Sequence, residues 1–118
     1  MNKFQELNVW KKSIDLVKEI YEVVAQLPVE EKFGLIPQIK RSAVSIPSNI
    51  AEGAGRNSNK EFIHFLSIAT GSSYELQTQF ILIKEFDMIN DKSFDKIDER
   101  IQEIQKMIYG LQNHLKNL

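Results

Sequence analysis

An all-α fold, a single four-helix bundle, is what this sequence predicts, on three observations. Apolar residues recur at three- and four-residue intervals nearly throughout. Glycine and proline are sparse, five and three in 118 residues. No stretch alternates apolar and polar residues as a half-buried strand does. The length points to one domain over residues 1–118. Short links between the helices imply an antiparallel, up-down-up-down order.

The first helix is expected from about Phe4 to Leu27, where Leu7, Trp10, Ile14, Val17, Tyr21 and Val24 make one apolar face. Pro28 stops it. Glu30 to Gly34 is a short connection with room for one helical turn. The second helix is expected over about 35–53. Pro37 falls in its first turn, where a missing N–H costs nothing. Leu35, Ile39, Ala43, Ile46, Ile50 and Gly53 lie within about 80° of one another and form its core face. Val44, Pro47 and Ala51 point elsewhere. Pro47 removes one helical N–H, so a kink near Ala43 to Pro47 is expected.

Ser58-Asn59-Lys60-Glu61 matches a capping box and opens the third helix, expected over about 59–86. Phe62, Leu66, Ala69, Leu76 and Phe80 form its core face. A second stripe (Ile63, Thr70, Tyr74, Ile81) and a third (Ile68, Leu82, Phe86) leave it apolar on most sides. Such a helix is usually buried on most sides, so the surplus argues for self-association. Gly71 inside this helix costs about 1 kcal/mol relative to alanine, and its expected use is close approach of another helix. Asn90-Asp91-Lys92-Ser93 is a loop rich in N-cap residues. The fourth helix is expected over about 93–116, with Phe94, Ile97, Ile101, Ile104, Ile108, Leu111 and Leu115 as its stripe.

Composition narrows the function classes. There are no cysteines, which removes disulfides, thiolate nucleophiles and zinc–cysteine sites. MNKFQELNVWKK lacks the apolar core of a signal peptide, and no apolar run approaches the roughly 20 residues of a membrane span. A cytoplasmic location and no membrane partner are expected. Net charge is −1, from 15 basic and 16 acidic residues, unlike a strongly basic nucleic-acid protein. The charges are uneven, however. Gln38 to Lys60 holds four cations (Lys40, Arg41, Arg56, Lys60) and one anion, whereas Glu85 to Glu103 holds seven acids and three bases. Local patches of this kind are hidden by the total.

Catalytic and metal motifs are weak. Glu52 and Glu75 lie among small and apolar residues, are expected to be buried, and are the one pair suited to acid–base work. Glu61-x-x-His64 has the spacing of a di-iron ligand pair, but such bundles use two of these motifs and His114 stands in no second one. No Gly-x-Ser-x-Gly, P-loop or dinucleotide fingerprint is present. No enzyme, cofactor or metal site is therefore expected. A polar band on the second helix (Gln38, Arg41, Ser45, Asn49, Glu52) is read as structural. Ser45, Asn49 and Glu52 are expected to bond with Ser72 and Glu75 on the third helix, or with Arg41 and Arg56, in a network fixing register and subunit pairing. Phosphate contacts need cations and little else, so Lys40, Arg41, Arg56 and Lys60 are the nucleic-acid-binding candidates. Lys11, Lys12 and Lys18 of the first helix are candidates to join them.

Specific runs carry a resemblance over most of the chain. They are Phe4-x-x-Leu7-x-Val9-Trp10, Glu31-x-Phe33-Gly34-Leu35 and Gln38-Ile39-x-Arg41-Ser42-Ala43-x-Ser45-Ile46-Pro47. Asn49-Ile50-Ala51-Glu52-Gly53, Arg56, Glu61-Phe62, Phe65-Leu66, Ile68-Ala69, Gly71-Ser72 and Glu75-Leu76 follow. They resemble the family of the protein encoded in the intervening sequence of bacterial 23S ribosomal RNA genes. The resemblance implies a left-handed four-helix bundle and a homo-oligomer, a five-fold barrel in related proteins. One relative, the accessory variability protein of diversity-generating retroelements, binds nucleic acid and partners a reverse transcriptase. That relative is strongly basic and this chain is not. Two function classes follow: an accessory protein associating with RNA or DNA through a local basic patch, and an oligomeric scaffold for a protein partner.

Overall fold

The computed structural model describes residues 3–31 and 34–118; Phe33, part of one of the family-like runs, lies outside them. Four helices account for the described chain: α1 (Asn8–Val24), α2 (Leu35–Ala54), α3 (Asn59–Glu85) and α4 (Asp91–Lys116). Short 3-10 turns at Phe4–Glu6 and Val29–Glu31 precede α1 and α2. The first expected helix is thus shorter than its apolar pattern. Leu7 is extended (φ −73°, ψ 125°) and separates the first turn from α1. The helix ends at Val24, and Gln26 and Leu27 close it with bonds to the carbonyls three residues back.

The helix ends follow their local chemistry. Pro37 lies in the first turn of α2, which runs on through the buried Pro47. Gly34 offers no side-chain cap there, and the Glu31 carboxylate accepts from Leu35 N–H at 3.3 Å instead. Ser58 Oγ accepts from Glu61 N–H at 3.1 Å and starts α3. Asn90 Oδ1 accepts from Ser93 N–H at 2.7 Å, so α4 opens at Asp91, two residues before the expected start. At the end of α3, Asp87 N–H bonds Lys84 O at 3.0 Å and Met88 N–H bonds Ile83 O at 2.8 Å. This is a Schellman closure, and its left-handed residue is Asp87 (φ 57°) where glycine is usual.

α1 and α3 each lie against both α2 and α4. Neighbours run in opposite directions. Ser45 meets Ser72 and Gly53 meets Phe65, so α3 numbers fall as α2 numbers rise. Likewise Gln112 meets Ser67 and Gln105 meets Ser73 across α3 and α4. The result is a bundle of 46 × 24 × 20 Å.

The core takes Leu16 and Ile20 from α1, Ile39, Ala43, Ile46 and Ile50 from α2, Leu66, Ala69, Leu76, Phe80 and Ile83 from α3, and Phe94, Ile97, Ile101, Ile104 and Ile108 from α4. Three of the expected stripes are the buried ones. On α1 the buried stripe is instead Val9, Ser13, Leu16, Ile20 and Val24, one position round from the expected face, with Trp10 and Val17 on its flank and Tyr21 exposed. Ser13 hides this stripe in the sequence. Its hydroxyl donates to Trp10 O at 2.7 Å, which satisfies a polar group inside the core.

Candidate nucleic-acid interface

The polar band of α2 meets α3 through hydroxyls and one amide. Asn49 Nδ2 donates to Ser45 O at 2.8 Å and to Ser45 Oγ at 2.9 Å. Ser45 Oγ and Ser72 Oγ are 2.8 Å apart. Since Ser45 Oγ accepts from Asn49, its own proton is available to Ser72. Asn49 thereby orients the one side-chain bond that crosses from α2 to α3 at this level.

Glu52 and Glu75 do not belong to that cluster. Both are exposed, contrary to the burial expected from their apolar neighbours in sequence. Glu52 turns to Arg56, with Oε1 and Nη2 3.3 Å apart. Because Ser45 is level with Ser72, Glu75 stands level with Ser42, and Glu52 is about 15 Å further along at 1.5 Å per residue. The two carboxylates therefore form no acid–base pair. Among the described residues no three His, Asp or Glu side chains converge as a metal site would require.

Glu75 lines a cleft of about 310 Å³ with Gln38, Arg41, Ser42, Ser45, Ser72 and Gln79, between the outer edges of α2 and α3. Gln79 Oε1 is buried beside it and has no hydrogen-bond partner among the described residues.

The four candidate cations separate into two pairs. Lys40 and Arg41 sit in the second turn of α2, while Arg56 and Lys60 flank the turn beyond its other end. About 20 Å of helix lies between the pairs. Lys40 Nζ rests 4.8 Å from the centre of the Tyr21 ring, and the Arg56 guanidinium 4.6 Å from that of Phe65. Aromatic faces hold these charges in place, and Arg56 is also paired with Glu52. Arg41 and Lys60 are exposed, with no carboxylate within 4.0 Å among the described residues. Arg56 also lines a depression of about 250 Å³ at its end of the bundle, with Asn57, Asn59 and His114.

Lys12 does not join this set. It faces α4, where Nζ lies 3.3 Å from Glu103 Oε1. Glu19 of α1 takes Arg100 at 3.0 Å and Lys96 at 4.0 Å. The acid excess near the start of α4 is local, since the whole helix carries five acids and five bases.

One feature escaped the sequence reading. Amides and hydroxyls line the α3–α4 seam. Gln112 donates to Ile63 O at 3.1 Å and Ser67 Oγ at 2.9 Å, and Gln105 to Ser73 Oγ and Gln77 Oε1, both at 3.1 Å. Gln77 in turn donates to Asp98 at 3.0 Å. The signal was the seven-residue spacing of Asp98, Gln105 and Gln112, which keeps them on one face of α4.

An all-helical bundle with a small-residue polar face on α2 and cations toward either end of that helix defines the class, a four-helix bundle protein. The family model described as 23S rRNA-intervening sequence protein matches residues 5–110, and the chain belongs to that family. A crystal structure of a protein of unknown function from the S23 ribosomal protein family of Bacteroides thetaiotaomicron superposes with a TM-score of 0.82. It is 28% identical, over 88% of this chain and 97% of that one. No curated protein matches the chain.

Proposed function

We propose that the protein is a non-enzymatic, self-associating accessory bundle that contacts the phosphates of RNA or DNA through Lys40, Arg41, Arg56 and Lys60. The observation that carries this reading is the state of Arg41 and Lys60, both exposed and neither neutralised by a carboxylate among the described residues. The family description and the name of the solved relative, which refer to 23S rRNA and to a ribosomal protein, support an RNA context. Exposed apolar residues on α3, among them Ile68, Tyr74, Ile81 and Leu82, and Phe86 just beyond its end, support self-association.

Fluorescence anisotropy with labelled single-stranded RNA tests the nucleic-acid part. Four phosphate contacts give a slope of log affinity against log salt of about −3, from roughly −0.7 per contact on single strands. The double substitution Arg41→Glu and Lys60→Glu should weaken binding and bring the slope to about −1.4 or shallower. Binding that is equal at low and high salt refutes phosphate contact, as does a double variant that binds like the parent. The same apolar residues favour a second reading, a scaffold for a protein partner; it expects a stable oligomer with no RNA shift.

A further inference from the structure

The depression beside Arg56 has an apolar floor. Leu115 is buried there, and Leu7, Phe62 and Leu111 are half-buried around it. These side chains come from three places that meet at this end of the bundle: the residue before α1, the first turn of α3 and the last turns of α4. α2 contributes room rather than a side chain. A Cβ on Gly53 would lie 2.9 Å from Phe62 Cδ1, so the glycine lets this ring lie against α2.

The rim is polar and, among the described residues, no carboxylate side chain lines it; Arg56, Asn57, Asn59 and His114 are its exposed polar members. By contrast, acids line both the cleft at Glu75 and the one where Lys12 meets Glu103. In the turn from Arg56 to Asn59 the side-chain hydrogen bonds among the described residues are those of Arg56 to Glu52 and of Ser58 to Glu61 N–H. Both asparagine amides are therefore unengaged. Arg56 donates to Glu52 through Nη2 alone, while its guanidinium rests on the Phe65 ring. Its other N–H groups remain for a ligand, on a side chain already held in place.

An apolar floor under a few convergent polar groups is the usual make-up of a small-ligand site. Size narrows the ligand. Drug-sized molecules occupy pockets of about 300 Å³ or more, and this depression of about 250 Å³ admits one flat ring system. The rim asks that the ring carry both donors and acceptors, and that an anion lie beside it.

We propose that the depression takes one unstacked base of a single-stranded RNA, with the neighbouring phosphates on Arg56 and Lys60. The subsite rests on the phosphate contacts proposed above and adds a base contact to them. Phe62 supplies an aromatic ring of the kind on which splayed bases settle, and Asn57 and Asn59 each offer a donor and an acceptor to the base edge. His114 reaches the same rim from α4. A duplex keeps its bases stacked and paired, so the site favours single strands.

Fluorescence anisotropy compares a labelled single-stranded RNA of mixed sequence with an abasic ribose-phosphate strand of equal length and charge. The parent protein should bind the base-bearing strand roughly tenfold more tightly. A variant carrying Asn57→Ala, Asn59→Ala and Leu118→Ser changes no charge and alters only exposed positions, Leu118 being an outer wall of the depression. It should bind the abasic strand as the parent does and lose most of the preference for bases. Equal binding of both strands by the parent, weakening with salt, overturns the base subsite and leaves phosphate contact standing. A preference that survives in the triple variant puts the base elsewhere and overturns the subsite as well. Nucleoside monophosphates that displace the labelled RNA as well as an unlabelled strand does would make this a mononucleotide site and overturn the strand reading. Failure of both strands to bind at low salt overturns subsite and phosphate contact together.

Discussion

Adding one methyl group at Gly53 tests the closest approach of α2 and α3. A Cβ at that position would lie 2.7 Å from Phe65 Cβ, 2.9 Å from Phe62 Cδ1 and 3.3 Å from Phe62 O. Carbon atoms rest at about 3.5–4.0 Å, so the helices must part by close to 1 Å. Phe65 Cβ is tied to its backbone and has no rotamer that removes it. Overpacking of this kind costs about 1–3 kcal/mol. The helix preference of alanine returns about 1 kcal/mol, which leaves a net loss of up to about 2 kcal/mol. With about 3–6 °C per kcal/mol for a domain of this size, Gly53→Ala should lower Tm by several degrees. Gly110→Ala is the control, because a Cβ there meets nothing within 4 Å. It keeps the propensity gain of about 1 kcal/mol alone and should raise Tm. Circular dichroism melts of the two variants beside the parent decide the matter. If Gly53→Ala melts at or above the parent, the close-approach argument is wrong.

Three further outcomes follow from particular contacts. Asp87→Gly should stabilise the chain by about 1 kcal/mol in urea titration, because the left-handed conformation at that residue is strained for any side chain; a loss would show that the aspartate side chain holds the turn. Asn49→Leu should cost about 1–2 kcal/mol, since it removes both bonds to Ser45 and sets a branched apolar group beside Ser72; unchanged melting would remove Asn49 from the α2–α3 contact. Glu19→Gln, which loosens Arg100 and Lys96, should cost no more than about 1 kcal/mol, and less in high salt; a larger, salt-independent loss would mean that packing rather than charge is at stake.

Much of this architecture is legible in the sequence because the apolar periods are strong. The stripe of α4 from Phe94 to Leu115 is unbroken by polar residues, so its core face reads directly. α1 misled because the serine inside its buried stripe makes the flanking, more continuous row of Leu7, Trp10, Val17 and Tyr21 look like the core. Only the backbone bond of Ser13 resolves the ambiguity, and periodicity carries no record of it. The polar band of α2 was visible, but the exposure of Glu52 and Glu75 was not. Residues adjacent in sequence say little about the direction in which a side chain leaves the helix. The grouping of Lys40, Arg41, Arg56 and Lys60 was likewise apparent from nearness along the chain, and the rigid rise of α2 pulls it into two pairs. The turn at Asp87 shows no glycine, and so no C-cap signal marked it.

The glutamine seam between α3 and α4 has a consequence for how the hairpin finds its alignment. On α4 the polar seam face repeats every seven residues through Asp98, Gln105 and Gln112, the last two bearing amides, and so does the core face, through Phe94, Ile101, Ile108 and Leu115. An amide donates and accepts equally well. Sliding α4 by one heptad, about 10.5 Å, would set apolar against apolar and amide against amide again over most of the overlap. Neither surface discriminates strongly between the two alignments. What does is the connection from Phe86 to Asn90, closed at one end by the Asp87 turn and at the other by the Asn90 cap. This short segment is the ruler of the hairpin. A chain given seven extra flexible residues there would fold into two populations offset by two turns of helix.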